Sequence, residues 1–262
     1  MNEKKVFFKN SKGQKLAALL AMPKNKNPPI IIVVHGFKGT KDYYPMNNHA
    51  VGPLIDSGFA VLRIDCRGSG ESDMEFKDMT LYTEAEDILT AVDYVKTLAI
   101  DKENIGIIAV SMAASAALIA KPKVKTIVFW GPGWKLGLGS YYDQPKYHKM
   151  IEEEGVWRVT MKQLPSKKVI KELIAGKELF KQMLTLDLSK DLPKLRDTPT
   201  LILRGENDEV TGGTGDEKVV ESMGSKLKMI KEGDHNFLDK SSEKDLINET
   251  IIWFKEKLKS KN

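Results

Sequence analysis

Apolar residues follow two periodicities along this chain. An unbroken β-branched run stands at 30–34 (IIIVV), and similar, largely apolar runs recur at 60–64 (AVLRI), 105–110 (IGIIAV), 124–129 (VKTIVF) and 200–203 (TLIL). They predict strands buried on both faces of a sheet, because a strand with one wet face alternates instead. Helical patterns lie between several of these runs. In LYTEAEDILTAVDYVKTL, Ala85, Ile88, Leu89, Val92 and Val95 fall on one helical face, and Ile247, Ile251, Phe254 and Leu258 repeat the spacing near the C-terminus. Val6–Lys9 and Leu16–Ala21 flank the Ser11-Lys12-Gly13 turn and predict an antiparallel pair. Strand and helix in alternation predict an α/β fold, a mostly parallel, doubly wound sheet that starts from that pair.

One stretch breaks the rhythm. More than sixty residues between FWGPG (129–133) and Thr200 hold no clear strand, and they include the helix-like VIKELIAGKELFKQML. A structureless loop of that length is uncommon inside a compact domain, and no Gly/Ser/Pro linker brackets it. Segment 134–195 is therefore expected to be a small, mostly helical lid inserted into a core made of 1–133 and 196–262. Its Trp134, Tyr141, Tyr142, Met150, Trp157 and Met161 would either line an apolar acyl or aryl pocket or pack the lid onto the core.

The composition of the 262 residues, 41% apolar and 29% charged, is ordinary for one large globular domain and excludes collagen-like and disordered chains. A single cysteine, Cys66, excludes an internal disulfide framework and a multi-Cys zinc site, and it fits a reducing compartment. It follows the strand AVLRI and is expected to be a half-buried packing residue. The net charge of +5 comes from 41 basic and 36 acidic residues; five of the basic ones are Arg and the rest are Lys dispersed among Glu. That pattern reads as a solvated surface rather than a nucleic-acid face. The first ten residues, MNEKKVFFKN, have no apolar core for a secretory leader. The run IGIIAVSMAASAALIA is too short to span a bilayer. The expectation is a cytoplasmic protein without a membrane span or nucleic-acid partner.

Three segments carry candidate chemistry, each just past a core strand, where an open α/β sheet gathers its functional groups. In AVSMAAS (109–115) the strand ends at Ser111 and a run of small residues begins a helix. So sharp a strand-to-helix turn presents its central side chain and needs small neighbours two positions either side, here Ala109 and Ala113. The Met112 N–H would then point at a developing oxyanion; the plainer reading is that Ser111 caps the helix. In LILRGENDEV (201–210), Asp208 lies in the loop after the strand, as a functional carboxylate or a turn residue. In KEGDHNF (231–237), His235 follows the strand-like LKMI. His49 and His148 sit in less telling contexts. The order Ser, Asp, His is that of a nucleophile, orienting acid and base in an α/β-hydrolase layout. HGFKG (35–39) follows the first buried run, and its Phe37 N–H would supply a second oxyanion donor, with His35 bracing the loop.

These residues carry a resemblance. The chain resembles the α/β-hydrolase superfamily over nearly all its length apart from the lid. Within it, HGFKGTKDYY, LIDSGFAVLRIDCRGSGES and FKDMT are similar to the bacterial feruloyl (cinnamoyl) esterases and to the monoacylglycerol-lipase/serine-aminopeptidase-like group. The resemblance implies Ser111 as nucleophile, His235 as general base and then acid, Asp208 as the residue orienting it, and backbone donors at Phe37 and Met112. It implies no metal and no organic cofactor. This chain departs from the family's Gly-x-Ser-x-Gly in having Ala at both flanking positions, each adding a methyl where the turn is tightest. The implied reaction is hydrolysis of a carboxylic ester, of short to medium acyl or aryl type. Monoacylglycerol or lysophospholipid lipase, aminopeptidase and thioesterase activities use the same triad, and a non-catalytic ligand-binding member of the fold is the reading from another class.

Overall fold

β-branched runs without a polar face need cover on both sides, and the computed structural model supplies it. It describes residues 3–42, 45–133, 143–160, 172–211, 220 and 225–258. The main sheet contains β1 (Glu3–Lys9), β2 (Lys15–Ala21), β3 (Ile30–Val34), β4 (Ala60–Ile64), β5 (Ile105–Val110), β6 (Thr126–Trp130), β9 (Thr200–Gly205) and β10 (Lys226–Ile230). Their spatial order is β1-β2-β4-β3-β5-β6-β9-β10. β1 pairs with β2 and β2 with β4 antiparallel; the remaining pairings are parallel. The VKTIVF run is shifted by two residues, its strand beginning at Thr126.

Helices cover both faces. Helix α1 (Pro45–Asp56) and the C-terminal helix α6 (Lys240–Lys257) pack Ala50, Val51, Leu54, Trp253 and Phe254 against Ile31, Val33, Ile108 and Val128. On the other face, α2 (Leu81–Val95) and α3 (Met112–Ala120) cover Ile30, Ile32, Ile107 and Phe129. Thr80 caps α2 reciprocally with Thr83, which fixes where that helix starts. Leu89 departs from the expected face and is exposed, its neighbours Ile88 and Val92 taking the core positions. Cys66 is fully buried rather than half-buried, in the core between the sheet and α2.

Between β6 and β9 the chain carries α4 (Pro145–Glu154), β7 (Val156–Thr160), β8 (Glu172–Gly176), α5 (Lys177–Thr185) and a 3-10 stretch, Ser189–Leu195. Here the helical expectation for VIKELIAGKELFKQML holds only in part. ELIAG is a strand, antiparallel to β7 with Ala175 opposite Trp157, and the helix begins at Lys177. Gly176 explains the break: a Cβ there would collide with the Lys77 carbonyl, so the chain must pass that point without a side chain. Trp134, Tyr141, Tyr142 and Met161 lie outside the described residues. No helix among the described residues is long and apolar enough to cross a membrane.

Candidate active site

The sheet changes direction of winding between β3 and β5: the chain leaves β3 for β4 on one side and reaches β5 on the other. Loops that leave such neighbours at their C-terminal ends diverge to opposite faces and open a crevice. The loop after β3 is 35–39 and the turn after β5 is Ser111, and parallel pairing sets Val34 beside Ala109. The two approach closely: a Cβ at Gly36 would lie 3.0 Å from both Ser111 Cβ and the Val110 carbonyl.

Ser111 itself adopts φ 51°, ψ −113°, a left-handed backbone that a non-glycine residue takes at a cost. Its neighbours hold it there. Its N–H donates to Trp130 O at 2.9 Å, while its carbonyl accepts from Ala114 N at 3.0 Å and Gly133 N at 3.1 Å. The buried Ala109 and Ala113 accommodate this turn without glycine. The helix-cap reading of Ser111 fails, because its side chain makes no capping bond to α3. Oγ instead lies 2.9 Å from His235 Nε2.

His235 stands on the loop after β10, with Nδ1 3.0 Å from Asp208 Oδ2. Asp208 follows β9 and is buried. Its Oδ1 accepts from the Val210 and Thr211 N–H groups, both at 2.9 Å, and Thr211 Oγ1 donates to Oδ2 at 2.6 Å. So Asp208 is both the turn residue and the histidine partner that the sequence offered as alternatives. Burial works to raise its pKa, but the His235 bond and charge and the Thr211 bonds outweigh burial and hold it at about 2. An ionised carboxylate only accepts, so Nδ1 carries the ring proton, Nε2 is the acceptor, and Ser111 Oγ–H donates to it.

Three sequence-predicted residues from three loops thus meet in one hydrogen-bonded chain. The two expected backbone donors stand on the adjoining segments: Phe37 follows Gly36, which approaches Ser111, and Met112 opens α3 directly after Ser111. Both side chains are buried in one apolar cluster. His35 braces the first loop: Nδ1 donates to Gly36 O at 2.9 Å, and Nε2 accepts the Cys66 N–H at 3.1 Å. Burial lowers the His35 pKa despite the Gly36 bond, which suits a neutral ring with one donor and one acceptor.

The DCRGSGES stretch serves as scaffold rather than chemistry. Asp65 accepts from Lys41 N at 2.6 Å, Lys41 Nζ at 2.8 Å and Glu71 N at 2.9 Å, so it ties the segment after the 35–39 loop to the turn after β4. Arg67 binds Asp87 through Nε and its own N–H, anchoring that turn on α2. Outside the site, His49 pairs with Glu243 and His148 with Asp143.

Two contributors escaped the sequence reading. Thr211 was legible as the fourth residue of Asp-x-x-Thr, a turn in which the Asp side chain caps the following amides. Gly131, at φ 51°, lies so close that a Cβ would sit 3.3 Å from His235 Nδ1 and 3.4 Å from Asp208 Oδ2. Nothing in FWGPG distinguishes that packing from an ordinary turn.

Known proteins share this architecture. Over residues 31–247 the chain matches the model of the Alpha/beta hydrolase family. Among solved structures it is similar to Est1E from Butyrivibrio proteoclasticus with ferulic acid bound, at 20% identity and a TM-score of 0.70 over 96% of this chain and 98% of that one. A soluble variant of monoglyceride lipase from Saccharomyces cerevisiae, in complex with a substrate analogue, aligns at 15% identity with a TM-score of 0.73 over 100% of this chain and 97% of that one. The alpha/beta hydrolase GrgF from Penicillium sp. sh18 aligns at 17% identity with a TM-score of 0.76 over 98% and 99% of the two chains. At such identities the likeness is one of fold. Two curated Escherichia coli sequences, each described as an uncharacterized 31.7 kDa protein in a traX-finO intergenic region, are 32% identical over 109 residues, 40% of this chain and 37% of theirs. The chain therefore aligns with little more than a third of the length of those relatives. With a strand-to-helix turn, sheet order and family match in agreement, the chain belongs to the alpha/beta hydrolase family.

Proposed function

We propose that this protein is a serine hydrolase that cleaves carboxylic esters through an acyl-enzyme, with Ser111 as nucleophile, His235 as base and acid, and Asp208 as orienting carboxylate. One observation carries the reading: the continuous hydrogen-bonded chain Ser111 Oγ–His235 Nε2 and His235 Nδ1–Asp208 Oδ2, at 2.9 and 3.0 Å, with its first member on a strained turn. A serine hydroxyl is a weak nucleophile until a base takes its proton, and a base within hydrogen-bond reach, oriented by a third group, provides that.

In the first half-reaction His235 Nε2 takes the Ser111 proton as Oγ bonds to the ester carbonyl carbon, and the carbonyl π pair moves onto oxygen. The Phe37 and Met112 N–H groups receive that oxyanion. The intermediate collapses, the C–O bond to the alcohol breaks, and the imidazolium gives its proton to the departing oxygen. Asp208, ionised down to a pH of about 2, stabilises the imidazolium throughout. In the second half-reaction His235 deprotonates a water molecule that attacks the acyl-enzyme, and the acid leaves as the proton returns to Ser111.

For substrate we propose small-molecule esters of short to medium acyl or aryl acids. Est1E holds ferulic acid and the yeast monoglyceride lipase a substrate analogue, and both ester classes suit this nucleophile. We assign segment 134–195 as the cap over the site and 1–133 with 196–262 as the catalytic core. A panel of p-nitrophenyl esters of rising chain length, run beside methyl ferulate and an aminoacyl amide, tests the reading. Turnover of esters that Ser111→Ala abolishes supports it. Turnover of the amide alone, or of nothing in the panel, contradicts it.

A further inference from the structure

The side chains of the two proposed oxyanion donors are buried in a third apolar cluster shared with the inserted segment. Phe37 and Met112 are buried together with Trp157 and Val159 of β7, Ala175 of β8, and Leu179, Phe180 and Met183 of α5. At its centre Trp157, fully buried, stacks on the Phe37 ring with centroids 5.1 Å apart and planes 16° from parallel. Tyr147 and Phe180 meet the indole edge-on at 5.2 and 5.4 Å, which fixes its plane.

Phe37 occupies the second position of the Gly36–Gly39 turn, in which Gly39 N donates to Gly36 O at 2.9 Å and Lys38 takes φ 65°. The His35 bonds fix the residue before Gly36 and the Asp65 bonds begin at Lys41. Between those anchors the Phe37 ring packs against both Trp157 and Phe76, the latter with its centroid 5.8 Å away, and these contacts restrain the residue. An oxyanion donor has to meet the developing charge within a few tenths of an ångström, so whatever fixes its carbon skeleton affects the transition state more than the ground state.

We propose that Trp157 is a positioning residue for catalysis: by stacking on Phe37 it sets the backbone N–H that receives the oxyanion. The inference rests on the serine-hydrolase reading above. The inserted segment is then part of the catalytic frame rather than a flap that swings clear, because lifting β7 would free the Phe37 ring. Stacked aromatic pairs contribute direction as well as area, which an aliphatic replacement does not restore.

The test compares Trp157→Phe, Trp157→Leu and the control Val159→Ala on the wild-type enzyme's best p-nitrophenyl ester. Labelling of wild type at Ser111 by a fluorophosphonate is scored first, since its absence would overturn the functional reading itself rather than this inference. With labelling present, Trp157→Leu is expected to lower kcat about 10–100-fold with KM little changed, as for a misplaced oxyanion donor. It should weaken binding of a trifluoromethyl ketone analogue of the acyl group by the same factor, leaving inhibition by the product acid unaltered. Trp157→Phe should recover most of the loss, and Val159→Ala should lower thermal stability while keeping kcat near wild type. In a Phe37→Leu background, Trp157→Leu should add little. The inference is overturned if Trp157→Leu keeps wild-type kcat, if analogue and product affinities fall together, or if its cost is undiminished in the Phe37→Leu background.

Discussion

Thr211 Oγ1 donates at 2.6 Å to Asp208 Oδ2, the same oxygen that accepts the proton of His235 Nδ1. Two donors on one oxygen, with two backbone amides on the other, leave the carboxylate one orientation and keep it charged. Thr211→Val retains shape and removes one donor. We expect kcat to fall several-fold and Asp208 to become easier to protonate. The measurement is the urea midpoint as a function of pH across the acidic range, where the variant should lose the stability contribution of Asp208 at a higher pH than wild type.

Asp208 also links the site to acid stability. Its pKa in the fold, about 2, lies below the ordinary value of 3.8. Between those values the unfolded chain binds more protons than the native one, so the contribution of Asp208 is complete above about pH 4 and disappears as pH falls through 2. Asp208→Asn should flatten that part of the stability profile, read as urea midpoints from pH 2 to 5, and should abolish ester turnover at every pH.

Glu84 makes the opposite prediction. It is buried on α2 with Oε1 3.9 Å from Cys66 Sγ, while Oε2 has no hydrogen-bond partner among the described residues. Burial first, and then the charge of Asp87, push its pKa from an ordinary 4.5 up to about 8. The native state holds a proton that the unfolded state has released, so stability falls as pH rises from about 4.5 to 8. The loss is about 1.4 kcal/mol for each unit of pKa elevation traversed. Glu84→Gln mimics the neutral acid. Its stability relative to wild type should therefore grow from pH 5 to pH 8; a difference independent of pH would show Glu84 ionised in the fold.

Gly131 tests how tightly the triad is packed. Gly131→Ala would force a Cβ to 3.3 Å from His235 Nδ1 at a positive φ. The conformational cost alone is about 1–2 kcal/mol. Thermal melting should report that loss, and kcat should fall further than stability, because the imidazole has to shift.

The sheet was legible because its strands advertise burial: IIIVV and IGIIAV have no polar position, and both are buried from end to end. Ser111, Asp208 and His235 were legible because each follows such a run. Other features needed the third dimension. ELIAG carries apolar residues at helical spacing with the helix after it, and only its pairing with β7 and the Lys77 carbonyl beside Gly176 make it a strand. Leu89 fits a helical face by spacing yet faces solvent, because Ile88 and Val92 already fill the groove against the sheet. The Phe37–Trp157 stack joins residues far apart in sequence, and neither residue type announces its partner.

The central claim, that Ser111 is a nucleophile activated by His235, is tested most directly by trapping the adduct. Wild type and His235→Gln are treated with a fluorophosphonate, and the intact mass and proteolytic peptides are read by mass spectrometry. The account predicts one phosphonyl group per chain, located on Ser111 in wild type and lost or greatly slowed in His235→Gln. An adduct on another serine, or equal labelling of Ser111 without the imidazole, would contradict it.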